Sequence, residues 1–156
     1  MKRKYSNLGE KRLSNSKELL MHVVVFDVNV LVSGLIVKGK PWELWLKAEA
    51  NEVSLIISSE IISEFLSVIS RKKFEKYVTE DDIQSFLEAL HQTAKIIIIK
   101  STLKVVAVDP SDDVILRTAY DGKADYIVSG DKHLLSLGEF RGIRIVTIDE
   151  MLKILK

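Results

Sequence analysis

Three acidic residues stand where short apolar runs end. Asp27 closes Val23-Val24-Val25-Phe26, Asp131 follows Tyr126-Ile127-Val128-Ser129-Gly130, and Asp149 closes Ile145-Val146-Thr147-Ile148. Between the first two, the adjacent pair Asp112-Asp113 opens a helical stretch. Runs of this kind, separated by helical segments, read as buried parallel strands. In an open parallel sheet, ligands bind outside the carboxyl ends of the strands. Carboxylates gathered at that edge repel one another unless a cation sits among them. With hard oxygen donors and no cysteine in the chain, the cation expected is Mg²⁺ or Mn²⁺ rather than zinc.

Each acid has a purely structural use as well. Asp27 can cap the turn after its strand, as Asp often does, yet a carboxylate at a buried strand end still needs compensation. Asn29, two residues on, offers a neutral oxygen to the same ion or its water. Acids in a helix's first turn favour the macrodipole, which accounts for one of Asp112 and Asp113 but not both. Neighbouring helical residues diverge by about 100°, so only one of the two points well into a shared cleft. Glu60 and Glu64 lie one turn apart on a common helix face; Glu60 reads as solvated, and Glu64 either as solvated or as standing at the border of core and cleft. Asp131 caps the next helix or joins the cluster, with the Ser129 hydroxyl beside it. Asp149 reads as a cap. His22, His91 and His133 lack zinc-ligand spacing, and neither a glycine-rich phosphate loop nor a nucleophile elbow is present.

These residues need a scaffold. Val23 to Phe26 reads as the first strand, with Asn29 to Ile36 continuing toward a turn at Lys38-Gly39-Lys40. Pro41 suits a first helical position and opens a helix to Asn51. Glu52 to Ile57 forms a short strand. Ser58-Ser59 then caps a helix to about Ser70, and Thr79 caps another to Thr93. Ile96 to Ile99 and Val105 to Val108 are apolar runs, at least one of them expected as a central strand. A helix from Pro110 to about Tyr120, the strand at Tyr126, a short helix at His133 to Leu137, the strand at Ile143 and a final helix from Asp149 complete the chain. This alternation predicts an α/β fold: a three-layer α/β/α sandwich around a central, mainly parallel sheet.

At 156 residues, with 47% hydrophobic and 29% charged residues, the chain fits one globular domain. Residues 1–20 carry six Lys/Arg against two acids, whereas the remainder is mildly acidic. They read as a basic extension, disordered or an artefact of the start site, ahead of a domain at 21–156. No apolar run approaches the ~20 residues that span a bilayer, and the first twenty residues lack the apolar core of a secretory signal. With no cysteine, the expectation is a cytoplasmic protein.

The strings FDVNVLVSGL, SSEIISEFLSVISRKKF, DPSDDVILRTA, ADYIVSGDKHLL and IRIVTIDEML together resemble the PIN domain family. They are most similar to its branch of VapC-type toxin components of toxin–antitoxin systems. The resemblance runs from Val23 to about Leu155. It implies a Mg²⁺- or Mn²⁺-dependent endoribonuclease with Asp27, Glu64, Asp112 and Asp131 as its four acids. Asn29 and Ser129 would support the cluster, and Asp113 is the alternative third acid because this branch usually doubles that aspartate. A homodimer and a small antitoxin partner follow from the same resemblance.

RNA must still approach an acidic cleft. Arg71, Lys72, Lys73 and Lys76, with Lys123, Lys132 and Arg141, are the bases expected to meet its phosphates. The competing functions are a housekeeping RNA-processing or structure-specific nuclease, and a catalytically silent RNA- or protein-binding module. A phosphatase of the haloacid dehalogenase type is disfavoured, because Asn29 stands where its second Asp belongs.

Overall fold

Val23–Phe26 forms strand β1, and its burial on both faces explains why four apolar residues follow one another without alternation. The computed structural model describes residues 21–103 and 109–156. On one side β1 pairs with β2 (Ser54–Ile57), and β2 with β3 (Lys95–Ile96). On its other side β1 pairs with β4 (Tyr126–Val128), β4 with β6 (Ile143–Val146), and β6 with β5 (Glu139–Phe140). The order is β3-β2-β1-β4-β6-β5; all pairs are parallel except β5 with β6. The order reverses between β1 and β4, so the sheet's switch point lies beyond the carboxyl ends of these two strands.

The described residues form seven α-helices, six between strands and one after the last: α1 (Val28–Ile36), α2 (Lys40–Glu49), α3 (Ser59–Ile69), α4 (Glu80–Thr93), α5 (Pro110–Asp121), α6 (Lys132–Leu137) and α7 (Ile148–Ile154). Right-handed crossovers place α1 to α4 over one face and α5 with α6 over the other. The expected three-layer sandwich is therefore what the chain forms. Trp45 and Phe65 each pack against Phe86, with ring centroids 4.9 Å and 5.5 Å apart, joining α2, α3 and α4. Thr79 and Thr147 close capping boxes at α4 and α7.

Several expectations are corrected. Residues 28–36 do not extend β1 toward a turn. They coil at once into α1, because the Asp27 carboxylate accepts the Val28 amide and the apolar residues fall on a helical face. Of the run Ile96 to Ile99, only Ile96 joins a strand, β3, which stands last in the order of the described strands. Nothing pairs beyond it among the described residues, and Ile98 is 74% exposed. Val105–Val108 and the basic extension 1–20 lie outside the described residues. The short strand β5 had no sequence signal, since two residues are too few for periodicity.

Gly122, after α5, is required by close approach. A Cβ there would overlap Ile56 Cδ1 and lie 3.1 Å from both Ile97 Cγ1 and the Thr118 carbonyl oxygen. Gly122→Ala should therefore cost about 1–3 kcal/mol of stability through overpacking. Urea denaturation checks this, and an unchanged midpoint would show that α5 does not sit tightly on the sheet.

Candidate active site

The switch point gathers side chains that are far apart in sequence. Asp27, one residue past β1, is only 7% exposed. Its Oδ1 accepts the Val28 amide at 2.7 Å, and its Oδ2 accepts the Ser129 hydroxyl at 2.7 Å. Ser129, one residue past β4, is fully buried and its Oγ also accepts the Asp131 amide at 2.9 Å. One serine thus ties the end of β1 to the turn that leads into α6. Asp131 caps α6, its Oδ1 accepting the His133 amide at 3.0 Å. Of the two uses the sequence posed for Asp27 and Asp131, the capping of the following helix is made by both.

Asp112 enters from the first turn of α5, 6% exposed, and its buried Oδ2 has no hydrogen-bond partner among the described residues. Burial pushes its carboxyl up to about 6; the charges of Asp131 and Asp27, a hydrogen bond with Asp131 and the charge of Asp109 push the same way. The Asp27 carboxyl is also raised, first by burial, against which the Ser129 and Val28 hydrogen bonds act, and last by the charge of Asp131. Asp27, Asp112 and Asp131 are therefore electrostatically one group.

Asp113 turns elsewhere, its Oδ2 3.9 Å from Arg117 Nη1 one turn along the helix. Asn29 sits on α1 with its side chain exposed. Glu64 is half-buried and shares a small cleft of about 50 Å³ with Glu60, Ile61, Ser111 and Val114. Val28 and Ser111, the neighbours of Asp27 and Asp112, line the same cleft. Asp149 does not join the group; it pairs with Lys40 at 2.8 Å, and Thr147 caps α7. The sequence reading has Ser58 as a helix cap but missed Thr118 and the contact between them: the two fully buried hydroxyls lie 2.9 Å apart between α3 and α5. An isolated Ser or Thr carries no signal of such a contact.

The bases divide by position. Lys132 is exposed beside Asp131 at the carboxyl edge. Arg71, Lys72, Lys73 and Lys76 are exposed beyond the far end of α3, seven residues or more past Glu64, or roughly 10 Å along a helix axis. Lys123 and Arg141 precede β4 and β6. They therefore lie at the amino edge of the sheet, the edge opposite Asp27 and Asp131.

The donor set is all oxygen, and a buried carboxylate oxygen without a partner beside two like charges suits a hard divalent cation. Among the described residues, no three acidic or histidine side chains form a closed metal-ligand cluster.

Comparisons with known proteins give the family and the fold. The model of the PIN domain matches residues 23–133. The chain belongs to the PIN domain family. Members of this family are generally nucleases. Among solved structures, the chain is similar to one in the crystal structure of VapBC2 from Rickettsia felis bound to a DNA fragment from their promoter. The TM-score is 0.56 at 15% identity, over 80% of this chain and 98% of that one. At this identity the likeness concerns the fold of a PIN domain. No curated protein matches the chain.

Asp112 gives a pH-dependent test. Its carboxyl titrates near 6 in the folded protein against 3.8 for an ordinary Asp. Below about pH 4 both folded and unfolded chains hold the proton and no cost arises. As pH rises from there through 6, the folded state must bury a charge, and stability falls by at most about 3 kcal/mol. Asp112→Asn should therefore stabilise the metal-free protein by about 1–3 kcal/mol at pH 7.5, with the gain gone at pH 4. Denaturant titrations at the two pH values decide it; a variant no more stable at pH 7.5 would mean that the acids do not repel.

Proposed function

We propose that this PIN domain is a Mg²⁺- or Mn²⁺-dependent endoribonuclease, cytoplasmic and homodimeric, acting as the toxin of a toxin–antitoxin pair. The observation that carries the nuclease reading is the convergence of Asp27, Asp112 and Asp131 at the switch point, where burial and like charge raise the Asp27 and Asp112 carboxyls together. The antitoxin partner is supported by the fold likeness to a chain of the VapBC2 complex, and by the residues that resemble the VapC-type branch.

In this reading Asp27, Asp112 and Asp131 hold the cation, with Glu64 across the small cleft. Bound there, the ion supplies Lewis-acid stabilisation of the phosphodiester and lowers the pKa of water at the site. Ser129 keeps Asp27 oriented by donating to Oδ2, while Oδ1 is engaged by the Val28 amide. Asp113 is turned toward Arg117 and takes no direct part. Glu64 orients the attacking water, and Lys132 meets a phosphate beside Asp131. In-line attack by water leaves a 5′-phosphate and a 3′-hydroxyl, without use of the RNA 2′-hydroxyl.

The deciding experiment is cleavage of a panel of structured and single-stranded RNAs with Mn²⁺, Mg²⁺ or EDTA, with Asp27→Asn purified in parallel. Cleavage should require the metal, yield 5′-phosphate ends and fall to background in the variant. Metal-independent cleavage that survives Asp27→Asn sinks the assignment. Metal-dependent cleavage of structured DNA in place of RNA would favour the structure-specific nuclease. Binding of RNA without cleavage would favour the silent module.

The basic cluster is tested separately. Replacing Arg71, Lys72, Lys73 and Lys76 together should lower the slope of log affinity against log salt by roughly 1–3, at about 0.7 for each phosphate of single-stranded RNA that is no longer neutralised. An unchanged slope would remove this cluster from the RNA-binding surface.

A further inference from the structure

Ser58 and Thr118 connect helix α3, which carries Glu64, with helix α5, which carries Asp112. Ser58 follows β2 and caps α3, its Oγ accepting the Ile61 amide at 3.3 Å. Thr118 lies on α5, six residues past Asp112, with its Oγ1 2.9 Å from Ser58 Oγ and 2.8 Å from the Val114 carbonyl oxygen. A hydroxyl has one proton. Because the Val114 oxygen can only accept, Thr118 donates to it and receives the Ser58 proton in turn. The result is one directed chain: Ile61 amide to Ser58, Ser58 to Thr118, Thr118 to Val114. Both hydroxyls are fully buried, so neither has water as an alternative partner.

The ends of this chain lie in the cleft wall. Ile61 and Val114 line the cleft together with Glu64 and Ser111. The hydrogen bonds therefore fix the distance across which Glu64 faces the first turn of α5. Apolar packing alone would leave the two helices free to slide, whereas a hydroxyl pair has one register.

We propose that Ser58 and Thr118 are positioning residues that set the separation of Glu64 from Asp112. The inference rests on the nuclease reading above. A shift of about 1 Å in a reacting geometry can lower turnover by about a hundredfold. Loss of the chain should therefore act on turnover rather than on RNA binding.

The test compares wild type, Thr118→Val, Thr118→Ser and Glu64→Gln, and adds Thr118→Val in the Glu64→Gln background. Circular dichroism monitors folding, and Mn²⁺ binding is measured by calorimetry. Thr118→Val should lower kcat by about ten- to a hundredfold with KM for RNA unchanged, and Thr118→Ser should restore it. In the Glu64→Gln background Thr118→Val should have little further effect, because both changes remove the same function. Equal fold losses in both backgrounds, no loss at all, or no rescue by serine would overturn the proposal. Should Thr118→Val not fold, Ser58→Ala carries the same expectations. Wild type that neither binds Mn²⁺ nor cleaves RNA fails the nuclease reading and takes this inference with it. Wild type that does both beside a fully active Thr118→Val fails the positioning role alone.

Discussion

The hydrogen bond from Ser129 to Asp27 is the interaction on which the candidate site depends. It joins the residues just beyond β1 and β4, the strands between which the sheet reverses its order. Through the Asp131 amide the same serine fixes the start of α6. Both oxygens of Asp27 are thereby assigned, one to the α1 amide and one to Ser129. A carboxylate held in this way cannot turn from its like-charged neighbours. Repulsion becomes a fixed property of the fold.

Helix ends reduce that repulsion without removing it. Asp27 and Asp131 each stand at a helix N-terminus, and Asp112 lies in the first turn of a third helix. Exposed amides and the macrodipole favour negative charge at all three positions. Even so, the Asp112 carboxyl is pushed up to about 6. Three helix termini therefore do not balance three acids, and the remaining charge is what a divalent cation would neutralise. Stability given up at a functional site in this way is a common feature of active sites.

The basic residues show a different geography. Lys132 is beside the acids, and the Arg71 to Lys76 group lies along the continuation of the Glu64 helix. Lys73 and Lys76 stand over the rings of Phe74 and Tyr77, with Nζ 5.1 Å and 5.4 Å from the ring centroids. Arg141 at the opposite edge stands over Tyr120 and Phe140.

Most of the scaffold was legible in the sequence. Unalternating β-branched runs can be buried only in a sheet covered on both faces, and helix caps such as Ser58 and Thr79 are local chemistry. Local chemistry also showed that Asp27 and Asp131 end strands. The sequence left residues 29–36 without an element, where a cap from the preceding Asp settled a helix, and did not show that only Ile96 of the run 96–99 joins a strand. Whether Asp112 or Asp113 faces the cluster depends on the rotation of α5 about its axis, which its packing on β1, β2 and β4 sets. The contact between Ser58 and Thr118 and the bond between Ser129 and Asp27 join residues 60 and 102 positions apart. Sequence determined which residues end each element, because capping and periodicity act over a few positions. Only the tertiary structure decided which of those ends meet, because strand order and helix rotation are set by packing across the whole chain.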